Sequence, residues 1–182
     1  KEKPALVISK SLTGEEGCVL AFQTTSKKII TCKLLEIEQQ NLLVQVDSHA
    51  REVFRIESGI PLYGKDINNK NILPETGLEH TSVSYNKGCY IGQEVIARIK
   101  TYGAPNFSLM GLIVKGTDLP LIDEEIKLDS KKLGIIKSSI FSYSLQKNIA
   151  LAYIQKDHRS PDIDLDVTIG NIPCKIRTCL LP

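Results

Sequence analysis

From Phe107 onward the chain breaks into short apolar runs separated by turn residues, and this pattern admits few folds. The runs lie near 107–115, 124–128, 132–140, 147–155, 164–169 and 172–179. Gly103-Ala104-Pro105-Asn106 closes whatever precedes them, and Ile169-Gly170-Asn171-Ile172 carries the signal of a two-residue hairpin turn. Short strands in close succession, with no room for crossover helices, predict a small antiparallel β-barrel over 103–182.

Residues 1–102 read differently. Ala5–Ser9 and Cys18–Gln23 predict two strands joined by the tight turn Thr13-Gly14-Glu15-Glu16-Gly17. A helix capped by Thr25 or Ser26 runs to about Gln39 on the stripe Ile29, Ile30, Leu34 and Ile37, and Leu42–Val46 follows as a strand candidate. Asp47 or Ser48 caps a second helix to Glu57, stopped by Gly59-Ile60-Pro61. The fold class is therefore α+β followed by a barrel. Two or three strands bury little alone, so this half is expected to expose apolar surface or self-associate. Ala5-Leu6-Val7-Ile8 already reads as a buried strand, and the first residue is Lys1, so the sequence is expected to be the C-terminal portion of a longer protein.

Composition excludes several classes. The formal net charge is +2 with lysines scattered, leaving no basic block and no strong nucleic-acid signal. The five cysteines, Cys18, Cys32, Cys89, Cys174 and Cys179, are odd in number and form no Cys-x-x-Cys pair, which argues against a disulfide framework and fits a cytoplasmic setting or an organelle matrix. His49, His80 and His158 stand apart without ligand spacing, so no metal site is assembled. No apolar run is long enough to cross a bilayer as a helix.

The chemistry concentrates in Lys87-Gly88-Cys89-Tyr90-Ile91-Gly92-Gln93-Glu94, which runs out of the long Gly-, Asn- and Pro-rich connection 60–88 into a helical pattern through Lys100. Ile91, Val95 and Ile99, with Ile96 beside them, predict one apolar helix face with Cys89 just ahead of the first turn. Helix N–H groups and the Lys87 ammonium both favour thiolate, so Cys89 is predicted to be the reactive thiol with Lys87 as its charge partner. Cys18 and Cys32 fall in apolar stripes, and Cys174 and Cys179 in a strand.

That string resembles the signature of the folate-binding YgfZ family, relatives of the glycine-cleavage T-protein (aminomethyltransferase) that act in iron–sulfur protein maintenance. Arg55-Ile56-Glu57-Ser58-Gly59-Ile60-Pro61, Gly64-Lys65-Asp66-Ile67, Leu73-Pro74-Glu75 and Gly77-Leu78 support it in order and spacing. The resemblance implies that 1–102 is the C-terminal part of a T-protein-like folate-binding α+β domain and 103–182 its barrel. It implies a tetrahydrofolate site, incomplete in this chain, and iron–sulfur proteins or their assembly machinery as partners. The function implied is a folate-binding accessory factor for iron–sulfur cluster assembly or repair. The alternative is a tetrahydrofolate-dependent aminomethyltransferase or methyltransferase of the T-protein type, whose catalytic aspartate would lie outside these residues.

The resemblance also assigns roles. Glu15 takes the place of the carboxylate that holds the pterin edge, although Val19 stands where T-proteins commonly carry a second glutamate. Arg51 takes that of a folate-contacting arginine, with Arg55 and Glu57 fixing its helix to the signature loop. Tyr90, Gln93 and Glu94 join the cofactor-binding set, and Lys147 corresponds to a lysine near the ligand in the barrel.

Overall fold

A computed structural model describes residues 5–116 and 118–181, with Tyr102 described by its backbone only. The chain divides into two compact units, Lys1–Arg55 and Ile56–Pro182.

In the first unit β1 (Ala5–Ser9) and β2 (Cys18–Phe22) form an antiparallel two-stranded ribbon, as expected. α1 (Lys27–Gln39) follows a single 3-10 turn, and none of its residues is buried. α2 (Ser48–Glu57) begins where Asp47 Oδ1 accepts the Ala50 N–H at 2.7 Å, the N-cap the sequence calls for. The strand expected at Leu42–Val46 does not form. Both strands of the ribbon already pair with each other, and the Gln45 N–H turns instead to the Glu38 carboxylate at 3.3 Å.

The second unit holds a short helix α3 (Glu79–Ser82), α4 (Gln93–Tyr102) and a closed six-stranded antiparallel barrel. Its strands are β3 (Phe107–Lys115), β4 (Glu125–Leu128), β5 (Lys131–Ser142), β6 (Lys147–Gln155), β7 (Asp164–Ile169) and β8 (Ile172–Cys179), in the order β3-β6-β5-β4-β7-β8. Each agrees with its sequence assignment to within two residues. Met110, Leu112, Val114, Ala150, Ala152, Ile154 and Ile176 point into a common core. Gly134 is required by close approach, since a Cβ there would lie 2.2 Å from the Tyr153 carbonyl oxygen.

β6 is buried at every position from Asn148 to Ile154, so its outer face is covered as fully as its inner one. A bulge in β5 between Ile136 and Ser138 shifts the phase, placing Ser138 opposite Leu151 and Ile140 opposite Ile149 on that outer face. The connection after α2 is fastened there. Asp66, 1% exposed, accepts Ser138 Oγ at 2.5 Å and the Leu62 N–H at 2.8 Å. Glu57 Oε1 accepts Ser142 Oγ at 2.5 Å and Ser144 Oγ at 2.8 Å. Glu57 therefore fixes the end of α2 to the β5–β6 turn and not to the signature loop. The compact unit that holds the barrel begins at Ile56.

On the outside of β3, β7 and β8, Asp164 accepts Arg177 Nε at 2.8 Å and Lys115 Nζ at 2.8 Å. The bond from Arg177, then that from Lys115, holds its carboxyl well below the usual carboxylate range. A depressed folded value means the stabilisation is present at neutral pH and is lost as pH falls through the acid range.

Two outcomes are expected. Asp66→Ala removes a buried acceptor shared by the Ser138 hydroxyl and the Leu62 N–H, and should lower unfolding free energy by about 1–3 kcal/mol, read from the urea midpoint. An unchanged midpoint would show the fastening to be unimportant. Asp164→Asn should lower stability modestly near neutrality, where the bonds from Arg177 and Lys115 act, and flatten its further loss below about pH 4. Thermal melts across pH check this.

Candidate functional site

The signature segment leaves the connection through α3 and enters α4, and its geometry departs from the helical stripe read in the sequence. Gly92, at φ 87°, is the N-cap, so the helix starts only at Gln93. This left-handed step takes Ile91 out of helical register and leaves it 104% exposed, with Val95 also exposed at 53%. Ile96, Ala97 and Ile99 are the half-covered positions instead. Gln93 reaches back, its Oε1 accepting the Tyr90 N–H at 3.3 Å. Glu94 pairs with Arg98 at 3.0 Å, both exposed on the helix surface.

Cys89 is exposed and precedes the N-cap by three residues. The Lys87 ammonium sits over the Tyr90 ring, 4.7 Å from its centroid. Tyr90 is half-buried, and its hydroxyl is shielded from solvent without a hydrogen-bond partner among the described residues. A second set of contacts that sequence reasoning missed holds the same loop. Tyr85 OH donates to Glu79 Oε1, and Lys100 Nζ lies 3.4 Å from the Tyr85 ring centroid. The Glu79 bond, aided by some desolvation, raises the Tyr85 phenol to about 12. No local motif announces this cluster, because its members come from α3, the loop and α4. The structure thus brings Lys87 together with Tyr90, and Tyr90 with Gln93.

The other assigned residues stand elsewhere. Glu15 is exposed at the tip of the β1–β2 ribbon. Arg51 is exposed on α2; the neighbouring Glu52 carboxylate is engaged by Arg55, through Nε at 3.0 Å and a second nitrogen at 2.9 Å, which leaves the Arg51 guanidinium without an ion pair among the described residues. Lys147 opens β6 and is exposed. A carboxylate and a guanidinium of this kind suit the donor edge of a pterin and the carboxylates of a folate tail.

The thiols divide by exposure. Cys18 and Cys32 are exposed along with Cys89, contrary to their placement in apolar stripes, because neither the ribbon nor α1 buries a face. Cys174 and Cys179 are half-buried, and burial pushes both thiols up. Limited alkylation at neutral pH should therefore modify Cys89, Cys18 and Cys32 before Cys174 and Cys179, and the latter pair should catch up as pH rises. Mass-spectrometric mapping checks the order; early labelling of Cys174 or Cys179 would contradict it.

Residues 108–182 match the family described as the glycine cleavage T-protein C-terminal barrel domain. An aminomethyltransferase of Caldanaerobacter subterraneus subsp. tengcongensis is 31% identical over 93% of this chain and 45% of its own length. That of Halalkalibacterium halodurans is 32% identical over 80% and 40%, and that of Symbiobacterium thermophilum 30% over 98% and 48%. The crystal structure of glycine cleavage system aminomethyltransferase T from Bartonella henselae superposes with a TM-score of 0.84 at 19% identity, over 97% of this chain and 48% of that one, a likeness of fold. The chain spans about half the length of the relatives it matches, or less. No helix among the described residues is long and apolar enough to cross a membrane. The barrel match and the aminomethyltransferase relatives together support the glycine cleavage T-protein superfamily.

Proposed function

We propose that this chain supplies part of a tetrahydrofolate-dependent aminomethyltransferase of the T-protein type, with residues 1–102 as the C-terminal part of the folate-binding domain and 103–182 as its barrel. The observation that carries this reading is the combination of a T-protein barrel match over 108–182 with relatives named aminomethyltransferase along nearly the whole chain. Glu15 would hold the pterin edge and Arg51 the folate, with Tyr90, Gln93, Glu94 and Lys147 completing the contacts. The relatives favour this over an iron–sulfur accessory role.

One observation keeps the accessory reading as a second proposal. Cys89 is exposed in a glycine-flanked loop with the Lys87 ammonium two residues away, and the string around it is the one that resembles the YgfZ family. In that reading Cys89 and Lys87 act on behalf of iron–sulfur proteins or their assembly machinery, in a cytoplasmic or organelle-matrix setting.

Calorimetric titration with tetrahydrofolate tests the first reading. The chain alone should bind weakly, and Glu15→Ala and Arg51→Ala should each weaken binding about tenfold further, equivalent to about 1.4 kcal/mol. Cys89→Ser should leave folate affinity unchanged while removing any support of iron–sulfur enzymes. Binding that ignores both Glu15 and Arg51 would sink the folate assignment.

A further inference from the structure

We infer that the mouth of the barrel beside the β7–β8 hairpin is a binding site for a small apolar monoamine, a single ring or short alkyl chain that carries one ammonium group.

A cavity of about 210 Å³ opens there between the end of β3, the segment leading into β4 and the β7–β8 hairpin. Val114 and Ile169 in its wall belong to the barrel core, and Cys174 packs against that core. Register agrees, with Val114 opposite Ile176 and Cys174 opposite Val167. Leu119 and Leu121, 44% and 67% exposed, give the opening an apolar rim. An apolar cavity of roughly 150 Å³ holds one benzene ring, and sites for drug-sized molecules begin at about 300 Å³. This one therefore suits a single ring with a short substituent, and is too small for a partner's helix or strand.

The opening is preformed, as small-ligand sites usually are. Asn148, 5% exposed, donates from Nδ2 to the carbonyls of Gly116 and Asp118, each at 3.2 Å. Ser139 Oγ donates to the Pro120 carbonyl at 2.5 Å, and the Leu121 N–H to Glu124 Oε2 at 3.0 Å. A segment tethered at so many points cannot fold inward to fill the space. Glu124 Oε1 lies against Gly170, where a Cβ would come within 2.5 Å of it.

Charge selects the ligand. The Lys115 ammonium, also in the lining, is taken by Asp164 at 2.8 Å. Glu124 Oε1 and the Asp118 carboxylate have no hydrogen bond or ion pair among the described residues. Two uncompensated carboxylates at an apolar opening attract a cation and repel an anion. None of the residues assigned to folate lines this cavity, so either reading can fail without the other.

Benzylamine, benzyl alcohol and benzoate share one ring and differ in charge, and they serve as probes in magnetic resonance titrations of the whole chain. Benzylamine should bind saturably, at about millimolar concentration, and benzoate at least about tenfold more weakly. At about ten times its dissociation constant, benzylamine should slow alkylation of Cys174 about tenfold and leave Cys179, which lies outside the cavity, unchanged. Glu124→Gln keeps an acceptor for the Leu121 N–H, and should weaken benzylamine about tenfold without altering benzyl alcohol binding or Cys179 labelling. Asp118→Asn, on the exposed rim, should act in the same direction by about threefold. No saturable binding up to about 20 mM, equal affinity for benzoate, equal protection of both thiols, or indifference to both substitutions would each overturn the inference.

Discussion

Burial of β6 from both sides is the constraint from which the rest of the second unit follows. A strand of a small barrel needs only its inner face covered, and its outer face can meet water. Here Ile149, Leu151 and Tyr153 on the outer side are as thoroughly buried as Ala150, Ala152 and Ile154 on the inner side. The connection after α2 supplies cover, and covering a sheet with irregular backbone brings polar groups into a dry place. Asp66 and Glu57 answer that difficulty, taking hydroxyls from Ser138, Ser142 and Ser144 and a backbone N–H from Leu62. The β5 bulge matters for the same reason, because it turns Ser138 outward to meet Asp66.

Past Leu78 the character of the packing changes. Among the described residues, the side-chain contacts that hold the loop from Val83 to Gly92 are one phenol-to-carboxylate bond, two ammonium-over-ring contacts and the Gln93 amide on the Tyr90 N–H. These are directional but lie near water, so their net worth is modest. Cys89 and Ile91 are consequently displayed on a tethered loop beside a tightly packed barrel. Such an arrangement suits chemistry or recognition, since a rigid scaffold sets the position of groups that must meet another molecule.

The barrel was legible because alternation and turn chemistry act over a few residues: a shift of one position would send every inward side chain to water, so the pattern in 107–179 leaves little freedom. α1 and α2 were legible for the same local reason. What depended on distant partners was not. Asp66 and Ser138 are far apart in sequence, and no spacing rule joins them. Leu42–Val46 has strand composition and no strand, because pairing needs a neighbour that composition cannot supply. The start of α4 is not legible because Ile91, Val95 and Ile99 do fall at helical spacing, and only the left-handed turn at Gly92 removes the first of them from the helix. Glu57 holds the β5–β6 turn and not the signature loop, since a carboxylate in sequence does not reveal which hydroxyls will reach it. Exposure of Cys18 and Cys32 could not be read from apolar surroundings that the fold leaves uncovered.

The open ribbon and the folate reading bear on one another through Glu15. A carboxylate that holds a pterin edge by paired hydrogen bonds must be fixed within a fraction of an ångström, because each degree of freedom frozen on binding is subtracted from affinity. Glu15 sits at the tip of a ribbon whose strands, among the described residues, pair only with each other and whose faces are both wet. Fluctuation of such a ribbon moves its tip most. Strands added at its edges would stiffen it without touching Glu15, so cover over Leu6, Val7 and Leu20 would raise folate affinity by ordering alone. How firmly the ribbon is held therefore decides how well a carboxylate at its tip can act as a binding group.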